Sequence, residues 1–266
     1  MNVIKRLIGL CVMMLILTCC KNENLIDLPV LSKDMVVNEN YIIPAACKDP
    51  ITYTSSNEYA VQVSETGKVT ARHYTGKETE VLLTSEDDSK SFIVNVTPRS
   101  TLYIDPDISI GQLRSTLIIN PNWLVYSENN IDCYTYGGNA PYLLISYTSA
   151  NRVDYYAVLV YPYLKYELAT FLAERYEQIG TEDGISYYRD ALTPEAAKIM
   201  IAVYDYSYEG IEYRIALYTR YPSGKDDTSL FRQYIDKQLE LVLEQRNNNE
   251  QNINYLNNIV EIWKVN

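Results

Sequence analysis

Two pairs of alternating runs, set about 60 residues apart, constrain this chain more than any other feature. The first pair is Tyr142 to Tyr147, a turn at Ser149-Ala150-Asn151, and Tyr155 to Tyr161 with Pro162 behind it. The second is Ile199 to Tyr206, a turn, and Ile211 to Thr219, with Pro222 just beyond. Period-two alternation over such lengths makes strands, and the short turns make them antiparallel neighbours. Parity then sorts the side chains. Ile211, Tyr213, Ile215 and Leu217 share one face, and Glu212, Arg214, Ala216 and Tyr218 the other. On the preceding strand Met200, Ala202, Tyr204 and Tyr206 oppose Ile199, Ile201 and Val203.

The segments before each hairpin extend the pattern. Trp123 to Ser127 and Ile131 to Tyr136 read as strands preceding the first, and Tyr176 to Gly180 and Ile185 to Tyr188 as strands preceding the second. Ile110, Leu113 and Leu117 fit a short helix after Asp107 or Ser109, which Gly111 weakens. Tyr163 to Arg175 is a better amphipathic helix, with Leu164, Leu168, Phe171 and Leu172 on one side. Asp227 or Thr228 would cap a third, running to about Arg246 and carrying Leu230, Ile235, Leu239 and Val242. The Asn-rich stretch Asn247 to Asn258 reads as a loop, and Ile259 to Val265 as a last strand. Residues 99–266 are therefore expected to form a duplicated α+β domain: two helix-plus-antiparallel-meander repeats making one sheet, with the helices on one face.

Residues 25–98 differ. Short runs at Ile51 to Ser55, Ala60 to Val63, Lys68 to Ala71, Glu80 to Ser85 and Ser91 to Val96 recur between polar turns, with no helical period. In the last, Phe92, Val94 and Val96 alternate with Ile93, Asn95 and Thr97, which makes one face apolar. The expectation is a small β-sandwich. Tyr53 to Val63, then Thr66-Gly67-Lys68-Val69-Thr70-Ala71, then Gly76 to Val81 resemble the bacterial Ig-like group 2 domain. The resemblance implies an Ig-like β-sandwich used as a spacer or adhesive unit, with no catalytic residues. Tyr53 stands where the family more often has Trp. Gly67 sits in the tight turn before Val69, where a positive φ is expected. Tyrosine marks the boundary between the two parts: 22 of its 26 copies lie beyond Pro98-Arg99-Ser100.

The first 19 residues carry a different message. Lys5 and Arg6 precede an apolar run, Leu7 to Leu17, shorter than the roughly 20 residues a membrane span needs. Leu17-Thr18-Cys19-Cys20 comes next. This resembles the lipobox of a bacterial lipoprotein, and implies a signal peptide over 1–19, acylation of Cys20 and a lipidated tether over 20–24. Cys19 is the other candidate. Lys21-Asn22-Glu23-Asn24 resembles the charged start of Bacteroidetes surface lipoproteins, which leaves the periplasmic and outer faces of the outer membrane both open. The membrane partner is thus reached through lipid, in the cell envelope.

Charge and cysteine usage narrow the function. Without residues 1–19 the chain keeps 21 basic against 34 acidic residues, a net −13, which argues against nucleic acid as a partner. Processing and acylation leave only Cys47 and Cys133, read as two separate thiols rather than a bridge. Catalytic chemistry is thin: the one histidine, His73, lies in a polar linker and reads as solvated. No metal ligand set, catalytic residue or cofactor motif is found. Asp105-Pro106-Asp107, Glu86-Asp87-Asp88 and Asp226-Asp227 read as turn residues, although carboxylate pairs are what a glycoside hydrolase or its accessory subunit would use. The expected function is a non-catalytic envelope protein whose Ig-like spacer presents the second domain to a glycan or protein ligand. Tyr156, Tyr204, Tyr206 and Tyr218 are the candidate binding surface, because tyrosine offers wide contact at low entropic cost.

Overall fold

The computed structural model describes residues 24–222 apart from 129 and 209–210. The signal over 1–19, Cys20, and the expected elements over 227–246, 247–258 and 259–265 lie outside the described residues. The chain divides between Arg99 and Ser100 into two compact units.

The first unit has seven strands: β1 (Ser32–Val36), β2 (Asn40–Ile42), β3 (Thr52–Ser55), β4 (Val61–Val63), β5 (Lys68–Ala71), β6 (Thr79–Thr84) and β7 (Ser89–Thr97). They form a four-stranded sheet, β1-β7-β6-β3, and a three-stranded one, β2-β5-β4. All pairs are antiparallel except β1, which runs parallel to β7 with Met35 beside Val96. The inward residues of both sheets, among them Met35, Val61, Val69, Val81, Leu83, Phe92 and Val94, are fully buried in one core, which makes this unit a β-sandwich. Phe92, Val94 and Val96 point inward as their alternation requires. The acidic run 86–88 is the β6–β7 hairpin turn: the Asp88 carboxylate accepts the Ile26 N–H at 2.9 Å, and its N–H reaches the Ser85 hydroxyl at 3.2 Å.

Gly67 adopts φ +72°, and a Cβ there would stand 2.8 Å from the Tyr53 ring. The turn therefore needs glycine twice, for its backbone and for the aromatic side chain laid across it. Gly67→Ala is expected to destabilise the first unit by about 2–4 kcal/mol, adding left-handed strain to overpacking. Denaturant unfolding of the intact chain measures it.

The second unit begins with an irregular segment over 100–119 and continues into β8 (Leu124–Glu128), β9 (Ile131–Thr135), β10 (Tyr142–Tyr147) and β11 (Val153–Val160). Helix α1 (Lys165–Ala173) comes next, then β12 (Glu177–Glu182), β13 (Ile185–Arg189), β14 (Ile199–Tyr208) and β15 (Ile211–Arg220). The eight strands make one sheet in the order β12-β13-β14-β15-β11-β10-β9-β8. Every pair in it is antiparallel, and the two meanders meet at β11 and β15.

This corrects the expected α+β domain of two helix-plus-meander repeats. The unit is mostly β, and α1 is the one α-helix among its described residues. Where the first helix was expected, Gly111 has φ +86° and donates its N–H to Val153 at 2.7 Å, while Gln112 accepts from Val153 and Arg114 donates to Asn151. Leu113 is bridged to Arg152. The backbone of 110–114 is thus satisfied by the β10–β11 turn, leaving only a single 3-10 turn at Arg114–Thr116. Ile110 and Leu117 still pack on the core, whereas Leu113, the middle residue of the triplet, is 39% exposed.

Both faces of the sheet carry buried apolar clusters. On one, Leu143, Ile145, Val158, Val160, Ile201 and Ala216 pack with Leu168, Phe171 and Leu172 of α1 and with Leu102, Tyr103 and Ile108 of the irregular segment. On the other, Ala157, Leu159, Met200, Ala202, Ile215 and Leu217 are buried with Tyr187, Tyr204 and Tyr213.

Candidate functional site

The four tyrosines expected to form one exposed surface do not. Tyr156 and Tyr218 lie on the α1 side of the sheet, 3% and 1% exposed; Tyr204, 9% exposed, and the half-buried Tyr206 lie on the opposite side. Parity sorts residues within one strand and does not by itself relate its faces to those of a strand further along, so the four were joined wrongly. It also says nothing about burial, and residues on both faces are buried.

Tyr156 and Tyr218 are cross-strand partners on β11 and β15, with rings stacked at 4.5 Å. The Tyr103 and Tyr218 hydroxyls share a buried hydrogen bond of 2.8 Å, Tyr103 rests on Phe171, and Tyr176 meets the Tyr218 ring edge-on. Burial pushes the Tyr103, Tyr156 and Tyr218 phenols well above the usual tyrosine range. Tyr136 is pushed up to about 12 by burial and then by the Asp105 charge. These phenols are structural: neutral, buried, and far from the ionised state that acid–base work near neutral pH would need.

The polar groups nearby are occupied in the same way. Arg175, 7% exposed, lies 3.7 Å above the Phe171 ring and donates to Asp105 at 2.8 Å and to the Phe171 and Ser100 carbonyls. Glu174 accepts the Ser100 N–H at 2.8 Å. Together they fasten the start of the irregular segment to the end of α1. Further along, the buried Asp132 carboxylate accepts from Arg114, from the Tyr147 hydroxyl at 2.7 Å and from the Tyr134 hydroxyl at 3.1 Å.

The exposed aromatics are elsewhere. Pro162 starts a 3-10 turn, Pro162–Leu164, that leads into α1. This junction holds Leu164 and Leu168 against the core and turns their neighbours outward. Tyr163 and Tyr166 are 72% and 73% exposed, the Tyr161 and Tyr163 rings stack at 5.6 Å and 10°, and the Lys165 ammonium stands 4.8 Å over the Tyr166 ring. The result is a short aromatic ledge with one cation beside it. The sequence carried a signal for it: within the 163–175 helix, Tyr166 falls opposite Leu164, Leu168 and Phe171.

Two other expectations meet the structure here. His73 is buried at 7% and stacked on Tyr59 at 4.4 Å, where a solvated side chain was expected; the linker is laid against the sandwich instead of leaving it. Cys47 and Cys133 are free thiols, and burial pushes Cys133 up to about 12. No group of three or more His, Cys, Asp or Glu able to hold a metal occurs among the described residues, and none of their helices is long and apolar enough to cross a membrane.

No family model matches this chain, and no curated protein matches it. Among solved structures it is similar to human protocadherin-24 EC1-2, at 11% identity over 73% of this chain and 93% of that one, with a TM-score of 0.23. It is also similar to domains 5–6 of the S-layer protein SbsC, at 10% identity over 75% of this chain and 84% of that one, again with a TM-score of 0.23. Both scores are too low to carry a function across.

Proposed function

We propose that this chain is a lipid-anchored protein of the bacterial cell envelope, non-catalytic, whose Ig-like unit is a spacer and whose second unit binds a glycan or protein. The lipobox-like Leu17-Thr18-Cys19-Cys20 supports the anchor at Cys20, and the order of segments from Tyr53 to Val81 supports an Ig-like group 2 module. The second unit is read as a duplicated four-stranded meander: its strand order is the same counted from either edge, first four against last four.

The observation that carries the binding reading is the ledge at Tyr161, Tyr163 and Tyr166. Two tyrosines more than 70% exposed, Tyr163 and Tyr166, contribute little to the core, yet they present flat rings and hydroxyl tips to solvent from one short junction, and Tyr161 stacks on the first. Such rings suit the C–H faces of sugar rings or the side chains of a partner, and the four sheet tyrosines named from sequence are replaced by these in the proposal. Tyr163→Ala/Tyr166→Ala is expected to weaken the ligand found in a glycan and protein binding screen by at least about tenfold, a loss of about 1.4 kcal/mol or more. It should leave the melting temperature unchanged. Unaltered affinity would move the site away from the ledge, and hydrolysis of a glycan by the intact chain would overturn the non-catalytic reading.

A further inference from the structure

Within the ledge at the start of α1, one ring is set in place before any ligand arrives. Pro162 fixes its own φ and drives the residue before it to extended backbone, and Tyr161 accordingly sits at φ −62° and ψ 140°. The chain then turns at once through Pro162–Leu164 into α1. Across that turn the Tyr161 and Tyr163 rings lie within 10° of parallel, with centroids 5.6 Å apart. Tyr161 is half-buried and Tyr163 is 72% exposed. An exposed side chain on its own exchanges rotamers within nanoseconds. Stacking on the half-buried neighbour holds Tyr163 in one plane, so less freedom is lost when a flat ligand settles on it.

We propose, resting on the ledge as the binding site of this unit, that its ligand is a glycan, that a pyranose ring lies on Tyr163, and that Tyr161 is the positioning residue behind it. The surroundings decide against a protein. The core of a protein interface is depleted in charge, and interfaces use little Lys, Glu or Ala. Beside these rings stand Lys165, Glu167, Ala169 and Thr170, all exposed. A sugar asks for that mixture. A pyranose is apolar across its C–H faces and ringed by hydroxyls, so it fits a flat aromatic ring with donors and acceptors at the margin. The Lys165 ammonium, held 4.8 Å over the Tyr166 ring, supplies fixed donors, and Glu167 in the first turn of α1 supplies an acceptor.

The test presents the intact chain with an immobilised panel of neutral and uronic-acid-bearing oligosaccharides, and measures each one retained by calorimetry. At least one is expected to bind, with affinity reduced at least about tenfold by Tyr163→Ala and at least about fivefold by Tyr161→Leu. Tyr161→Phe keeps the stacked ring and should stay within about twofold of the parent chain. That rescue separates a positioning ring from a hydroxyl contact. Tyr163→Ala, at an exposed position, carries the test if Tyr161→Leu lowers the melting temperature. Retention of no oligosaccharide overturns the glycan assignment; the ledge still stands as a site if a protein ligand responds to Tyr163→Ala/Tyr166→Ala, and falls if none does. Oligosaccharide binding that Tyr163→Ala leaves unchanged overturns both readings. Equal affinities for Tyr161→Leu and the parent chain overturn the role given to Tyr161.

Discussion

Raising the pH from 9 to about 12 is expected to unfold the second unit in one cooperative step, with tyrosine ionisation and loss of structure occurring together. The sign is set by where the protons are held. In the unfolded chain each phenol loses its proton near pH 10, whereas burial keeps Tyr103, Tyr156 and Tyr218 protonated to well above that value in the fold. Stability from these groups is therefore intact below about pH 10 and falls as pH rises through the folded-state values. Each tyrosine contributes a slope of about 1.4 kcal/mol per pH unit, so the three together give about 4. Against a typical total of about 5–15 kcal/mol, two pH units exhaust most of the margin. Phenolate absorbance and circular dichroism, followed in parallel, should share one midpoint. Tyr103→Phe/Tyr218→Phe removes both ends of the buried hydroxyl pair and should flatten the slope by about 2.7 kcal/mol per pH unit. Smooth titration near pH 10 with the fold intact would mean that these rings are open to water.

The strands were legible because period two leaves its trace in any sequence that buries a face. β10, β11, β14 and β15 stand within a residue or two of the runs read from alternation, and so do β3 to β7. β1 was not legible: Ser32–Val36 has one fully buried side chain, Met35, and finds its place by parallel pairing to β7, a partner about 60 residues away. The expected helix at 110–117 failed for a related reason. Its apolar spacing served equally well for a segment that inserts Ile110 and Leu117 from an irregular backbone, and the hydrogen bonds of Gly111 and Arg114 to the β10–β11 turn decided between them. The tyrosine surface failed on coverage. Alternation sorted residues within each strand but did not relate one strand's faces to the next's, so Tyr204 and Tyr206 were grouped with Tyr156 and Tyr218 from the opposite face; exposure depends besides on the layer above a face, which on the α1 side comes from the 100–119 segment and α1. Tyr166 was readable by contrast, because a helix with a defined apolar side also defines which aromatics are left outside it.

Replacing Asp132 is expected to be the most damaging single substitution in the second unit, because one carboxylate helps anchor a segment with no α-helix or strand of its own. The 100–119 stretch covers the α1 side of the sheet without an α-helix or strand, and beside the backbone bonds of Gly111, Gln112 and Arg114 it is attached through side chains: the Tyr103–Tyr218 hydroxyl pair, the Tyr136 hydroxyl to the Ile104 carbonyl, Asn139 to the Leu102 carbonyl, and Arg114 to Asp132. Asp132 is buried, with its side chain 2% exposed, and it accepts from three side chains at once. Arg114 also lies 4.7 Å over the Tyr147 ring, so the guanidinium, ring and carboxylate hold one another in register. Asp132→Ala strands a guanidinium and two phenols that were built to donate to it, and should cost about 3–5 kcal/mol. Asp132→Asn keeps the shape but brings an amide donor among donors, for an expected loss of about 1–3 kcal/mol. The discriminating measurement is a double-mutant cycle with Arg114→Met, in which the arginine end of the pair is 36% exposed. If the ion pair supplies the effect, Asp132→Ala in the Arg114→Met background loses at least about 1 kcal/mol less than in the parent chain. Additive losses would assign the stability to the Tyr134 and Tyr147 hydroxyl bonds alone, and Tyr147→Phe would then account for most of what Asp132→Ala removes.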